Sequence, residues 1–132
     1  MGTTITFKNL TIGYRSKHQL RAVASSIHAS LQGNKLTCLI GANGVGKSTL
    51  LRTLSGFQPP LDGEILIQDK PLSDYSAREL AQEIGVVLTN RMDTPQLSVQ
   101  EIIGIGRSPY TGFWGTLSSA DQKIVDEAIR QT

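Results

Sequence analysis

The residues best suited to chemistry lie between positions 41 and 48. Gly41-Ala42-Asn43-Gly44-Val45-Gly46-Lys47-Ser48 fits the pattern G-x-x-x-x-G-K-[ST] at every fixed position. A polyphosphate needs many hydrogen-bond donors in a small concave space, and this run can supply them. Gly44 and Gly46 lack a Cβ, so the backbone can approach an anion and adopt torsions closed to other residues. Successive N–H groups from Gly44 to Thr49 then point inward as an anion nest. A helix beginning here adds unpaired N–H groups and the positive end of its dipole. Lys47 brings a mobile positive charge to the outer phosphates, and the Ser48 hydroxyl is placed to ligate Mg²⁺. The Thr49 hydroxyl or N–H reaches the inner phosphate.

Such a loop works only between a strand and a helix. Leu36-Thr37-Cys38-Leu39-Ile40 is short, apolar and bounded by turn residues, which predicts a buried strand. Lys47 to Ser55 places Leu50, Leu51 and Leu54 on one helical face, with Gly56 as the stop. Upstream, residues 3–14 alternate on two parities that change at Asn9, predicting two short strands or one bulged strand. Residues 22–31 form a weaker strand anchored by Val23 and Ile27. Gln32-Gly33-Asn34 turns into the run before the loop. After the helix, Phe57 to Gly63 is a rigid proline-containing loop, and Glu64-Ile65-Leu66-Ile67 alternates as a strand.

Three helices follow. Ser76-x-x-Glu79, Ser98-x-x-Glu101 and Ser119-x-x-Gln122 each carry the capping-box signature. Between the first two, Gly85-Val86-Val87-Leu88 predicts a second buried strand. The last helix carries Ile124, Val125, Ala128 and Ile129 on one stripe. Tyr110, Phe113 and Trp114 fall in the turn-rich segment 106–117, where partial burial against the last helix is expected. Exposed, they would mark a protein-binding patch. Asp121 and Glu127 read as part of a solvated helical face.

The totals fit one ordinary domain of 132 residues, with 39% hydrophobic and 18% charged side chains. A net charge of +2 is too mild to imply nucleic acid as a partner. The single cysteine, Cys38, excludes an internal disulfide and reads as a buried, inert thiol. No apolar run approaches the ~18 residues of a membrane span. The start Met1-Gly2-Thr3-Thr4-Ile5-Thr6 matches the loose myristoylation pattern, but Ile5 and Phe7 are better explained as strand residues. Tyr14 reads either as edge packing or as an aromatic platform for a nucleobase. His18 and His28 fall in the early β region as solvent or packing residues. The unspent apolar stripe at the end and the two core strands beside the loop predict the front part of a larger domain.

On these residues the chain resembles the ATP-binding subunit of ABC transporters. The marks are Gly41 to Leu50 read as GANGVGKSTL, Tyr14 upstream, and Gly63-Glu64-Ile65 after a proline-rich turn. Gly106-Arg107-Ser108-Pro109-Tyr110 followed by Ala120-Asp121 is most similar to subunits that energise uptake of iron-siderophores, haem or cobalamin. The resemblance implies an α/β fold: a P-loop NTPase core, an N-terminal antiparallel β subdomain and the beginning of an α-helical subdomain. Residues 1–97 would be the nucleotide-binding part and 98–132 the start of the helical part. It implies ATP and Mg²⁺ as cofactors. Tyr14 would stack adenine and Val23 would pack near the sugar and base. Gly41 opens the loop, and Asn43, Gly44, Val45, Gly46, Lys47, Ser48 and Thr49 would hold the phosphates.

Thr89 occupies the place where the family usually has a glutamine that meets Mg²⁺ and water. It could ligate the metal only from a closer loop or through water. The implied partners are a second ATPase subunit and membrane permease subunits, at the cytoplasmic face of the cell membrane. The family's signature motif, general-base glutamate and switch histidine have no match within residues 1–132, so no hydrolysis is expected of this chain alone. A stand-alone nucleotide-binding or structural module is the alternative. A small GTPase would need an Asn-Lys-x-Asp-like stretch, and a kinase an acceptor site and lid. None is present.

Overall fold

The computed structural model describes residues 4–89 and 96–132. The chain forms two compact units, one ending at Ser76 and one spanning Ala77–Thr132. Met1-Gly2-Thr3, the start of the myristoylation pattern, and Asn90 beside Thr89 lie outside the described residues.

The first unit is built on an antiparallel sheet. Its strands are β1 (Ile5–Arg15), β2 (Leu20–Leu31), β3 (Asp62–Ile67) and β4 (Lys70–Pro71), in the order β2-β1-β3-β4. β1 is one bulged strand, the second of the two forms its pattern allows. Phe7 and Leu10 are both buried although three residues apart, which strict alternation forbids without an extra residue. Asn9 supplies it, with φ 48°, and its N–H donates to His28 Nδ1 at 3.4 Å. Across the pair, a Cβ on Gly63 would lie 2.2 Å from the Asn9 carbonyl oxygen, so only glycine fits beside the bulge. β3 and β4 are joined through Gln68 (φ 50°) and Asp69 (φ 64°), the left-handed pair that matches the twist of a tight hairpin.

Phe7, Leu10, Ile12 and Ile65 form the core of this unit. Full burial of one such side chain contributes about 1.5–3 kcal/mol. Leu50 and Leu54 of α1 (Lys47–Leu54) pack onto it, as their spacing predicts. Leu51 instead faces out, so the contact stripe is narrower than expected. The helix stops where Gly56 takes φ 73°. There the Phe57 N–H donates to Arg52 O at 2.9 Å and the Gly56 N–H to Thr53 O at 3.1 Å, closing its last carbonyls.

Two expected strands are absent. Residues 36–40 run without ladder bonds, and Ile40 is 90% exposed. Cys38 is therefore an exposed thiol, not a buried one. Residues 84–88 likewise form no strand, and Val87 is 98% exposed. A strand buried on both faces takes its bonds and cover from neighbouring strands. Among the described residues, every ladder belongs to β1–β4, so neither run has a neighbour.

The second unit contains α2 (Ala77–Glu83), α3 (Val99–Ile105) and α4 (Ser119–Gln131). α3 opens on the expected box. Ser98 Oγ accepts from the Glu101 N–H at 3.3 Å, and the Glu101 carboxylate accepts from the Ser98 N–H at 2.7 Å. α4 opens one residue earlier than expected, on Ser118 and Asp121 in place of Ser119 and Gln122. An aspartate at that position does more than a glutamine could. Its Oδ2 accepts from Ser118 N at 3.0 Å and Ser118 Oγ at 2.6 Å. Its Oδ1 accepts from Arg107 Nε and Nη2, both at 2.9 Å. Asp121 is thus buried, not part of a solvated face.

The Ser118 hydroxyl, then the Ser118 N–H, then Arg107 hold the Asp121 carboxyl below its ordinary value. A carboxylate with a depressed folded-state pKa adds stability that is fully present above its unfolded value. That stability is lost as pH falls from 3.8 through the folded value. Asp121→Asn is therefore expected to lower the melting temperature at pH 7 and to flatten the acid limb of a melting curve series below pH 4. A parallel downward shift at every pH would contradict this role.

On α4, Val125 is buried and Ala128 and Ile129 are half-buried, while Ile124 faces out. The expected burial of the aromatic loop does not occur. Tyr110 lies under the Arg107 guanidinium at 4.1 Å, but Phe113 and Trp114 are 95% and 88% exposed. Gly112 and Gly115 flank this pair at the loop tip, and the two rings meet each other edge-on at 5.4 Å.

Candidate functional site

The chain enters α1 through a loop that only glycines can make. Gly44 has φ 82° with nothing within 4 Å of its absent Cβ, so torsion alone demands glycine there. Gly46 caps the helix with φ 108° and ψ 11°. A Cβ on Gly46 would meet Val23 Cγ1 at 2.7 Å, so space and torsion both exclude a side chain. Val23 on β2 therefore packs against the loop itself. No side chain caps the start of α1, so its first N–H groups are left for a ligand.

Lys47 begins that helix and folds back over the loop. Its ammonium donates to Gly41 O at 2.7 Å and to Ala42 O at 2.8 Å. An ammonium has three donors, so two brace the loop and one remains for an anion. Val45 N–H donates weakly to Ala42 O at 3.4 Å, tightening the turn. Asn43, Gly44 and Ser48 are exposed on the open side. The result is a cradle of backbone amides with a cation at its rim, which fits a polyphosphate. The exposed Ser48 hydroxyl is a hard oxygen of the kind Mg²⁺ takes beside phosphate oxygens.

Thr49 sits deeper than its neighbours. It is buried, and its Oγ1 lies 3.0 Å from the hydroxyl of Tyr14. The two hydroxyls are thus paired with each other. Tyr14 stands at the end of β1 with its side 52% exposed. The fold thus brings the tip of the Tyr14 ring to the first turn of α1, 35 residues away along the chain.

Two further residues join this arrangement that sequence spacing did not single out. Thr53, wholly buried on α1, donates its hydroxyl to Thr49 O at 2.8 Å. Gln58 Nε2 donates to Thr53 Oγ1 at 3.2 Å and to Gly13 O at 3.1 Å. Thr53 follows Thr49 by four residues, the spacing that stacks side chains on a helix. Nothing local marks Gln58, because its partners are 45 and 5 residues away.

Thr89 is exposed and belongs to the unit Ala77–Thr132. His18 is exposed, and His28 is committed to the Asn9 bulge.

A family model described as ABC transporter matches residues 24–132. The chain belongs to the ABC transporter family. Its match to that family begins in β2 and takes in the whole phosphate loop. An achromobactin transport ATP-binding protein from Dickeya dadantii is 32% identical over 131 residues, 98% of this chain and 47% of its own. A ferric enterobactin transport ATP-binding protein from Escherichia coli is 32% identical over 125 residues, 95% of this chain and 45% of its own. An uncharacterised ABC transporter ATP-binding protein from Methanocaldococcus jannaschii is 35% identical over 123 residues, 93% of this chain and 41% of its own. The chain spans just under half the length of these curated relatives.

The fold agrees. A dimeric ATP-binding cassette solved in a post-hydrolysis state with ADP and Pi superposes with a TM-score of 0.75 at 22% identity. That match covers 96% of this chain and 56% of the other. It establishes an ABC cassette fold for these residues, an α/β fold with an antiparallel sheet. Among the described residues, no helix is long and apolar enough to cross a membrane.

Proposed function

We propose that this chain binds MgATP as part of the ATPase of an ABC importer. The observation that carries the reading is the glycine-built cradle at the uncapped start of α1, with the Lys47 ammonium braced across it at 2.7 and 2.8 Å. Asn43 to Thr49 hold the phosphates, Tyr14 faces the adenine and Val23 lies near the sugar. Ser48 holds Mg²⁺. Bound Mg²⁺ would neutralise charge on the outer phosphates.

In the working transporter this part would pair with a second ATPase subunit and dock on permease subunits at the cytoplasmic face of the membrane. The names of achromobactin, ferric enterobactin and hemin relatives support iron-siderophore or haem as the cargo class, and cobalamin rests on the sequence resemblance alone. The functional division follows the chemistry: 1–97 for nucleotide, 98–132 for the helical part. Residues 1–132 offer no counterpart of the family's general base, so the chain binds without turning over.

Calorimetric titration with ATP, with and without Mg²⁺, tests this. Binding is expected in both cases and tighter with Mg²⁺. Ser48→Ala is expected to abolish the Mg²⁺ increment while leaving metal-free affinity within about twofold, because a lone exposed hydroxyl contributes little without its ion. A magnesium increment that survives Ser48→Ala would remove that residue from the metal site. Steady ATP turnover by the 132-residue chain would contradict the binding-only reading.

A further inference from the structure

We propose that Gln58 is a positioning residue for base recognition, acting through the end of β1 that carries Tyr14. The inference rests on the ATP-binding reading above and adds a residue to it. A platform for a base must be held at a fixed height relative to the loop that holds the phosphates. Tyr14 is the last residue but one of its strand: only Arg15 follows it in β1. Its hydroxyl contact to Thr49, 3.0 Å, ties the tip of the ring to α1. A second tie is needed at the backbone, and Gln58 makes it.

The Gln58 amide uses both N–H groups. One goes to the carbonyl of Gly13, the residue before Tyr14, at 3.1 Å, and one to Thr53 Oγ1 at 3.2 Å. Thr53 in turn holds Thr49 O at 2.8 Å. Gln58 thus bridges the peptide that sets the Tyr14 direction to the helix that begins at the phosphate loop. The loop that carries Gln58 is anchored again by the Leu61 N–H, which donates to Thr11 O at 2.9 Å. Gly13 fits this closure because it has no side chain. A Cβ there would lie 2.1 Å from Arg21 O and 2.7 Å from Leu61 Cδ1. Gln58 is half-buried and Thr53 wholly buried, so the bridge is sheltered from competing water. Two ties, one at the ring tip and one at the backbone, fix the ring as one tie cannot.

The test compares ATP with inorganic tripolyphosphate, which has the anionic tail and no base. Wild-type full chain is expected to bind ATP about tenfold or more better than tripolyphosphate, the range that stacking one base supplies. Gln58→Met, which keeps the bulk and loses both donors, is expected to cut that preference about fivefold while tripolyphosphate affinity stays within about twofold. Gln58→Glu, which keeps the shape and cannot donate as a carboxylate, is the second variant and is expected to do the same. In a Tyr14→Ala background neither change should alter the preference further. Equal weakening of both ligands would mean a merely structural role, and an unchanged preference would also overturn the inference. An additive loss in the Tyr14→Ala background would overturn it as well. Wild type that shows no preference for ATP would overturn the adenine platform itself and this inference with it.

Discussion

Lys47→Ala is expected to weaken ATP binding by about 10- to 100-fold, the equivalent of one lost charge-assisted contact at about 1.5–3 kcal/mol. Two effects add. The cation at the rim is gone, and the carbonyls of Gly41 and Ala42 lose the donor that now spans them at 2.7 and 2.8 Å. Both carbonyls belong to exposed residues, so water can replace that donor. The melting temperature should therefore change little, within the roughly 0.5 kcal/mol usual for surface positions. The separation of these two readouts is the point. Lost affinity with an intact fold places Lys47 on the ligand. Equal affinity for ATP in the two proteins would be hard to reconcile with the cradle, and a large fall in stability would make Lys47 a structural brace first.

Gly63→Ala is expected to act on the fold instead, by about 3 kcal/mol or more, the sum of a left-handed torsion and an overpacked contact. Gly63 has φ 79°, and a Cβ there would lie 2.2 Å from Asn9 O, 2.6 Å from Asn9 C and 2.7 Å from Leu10 Cα. All three are backbone atoms of the bulge, so no side-chain rotation relieves the overlap. Leu10, wholly buried in the core, would move with its Cα. A fall in melting temperature on the order of 10 °C or more is the expected readout. Gly44→Ala is the comparison. It shares the positive φ, 82°, but nothing lies within 4 Å of the added carbon. It should cost only the torsion, about 1 kcal/mol. If the two variants melt together, the close contact at the bulge is not what constrains Gly63.

The residues around the phosphate loop were legible because their information is local. The glycines, Lys47 and Ser48 are consecutive, and Leu50 and Leu54 announce the helix by spacing alone. The β1 bulge was legible as a parity change at Asn9, and the Ser98 box as a four-residue signature. The misses have a different cause. The runs 36–40 and 84–88 have the composition of buried strands, but composition cannot say whether a neighbouring strand is there to pair. Ser118 and Ser119 both fit a capping signature, and the choice was made by Arg107, 14 residues before Asp121. Gln58 carries no signature, and Thr53 only its four-residue spacing from Thr49. They matter because the sheet brings Gly13 to the helix, which is a tertiary fact. Phe113 and Trp114 show the converse: two aromatics expected in a small core stay exposed and meet each other edge-on.

In the proposed function, backbone amides at the start of α1 receive a nucleotide's phosphates. Amide chemical shifts followed while ATP is added report on those groups one by one. The N–H resonances of Gly44, Gly46, Lys47, Ser48 and Thr49 are expected to move furthest and to saturate together, with tripolyphosphate reproducing their direction. Shifts confined to other parts of the chain, with these five amides unmoved at saturation, would contradict the account.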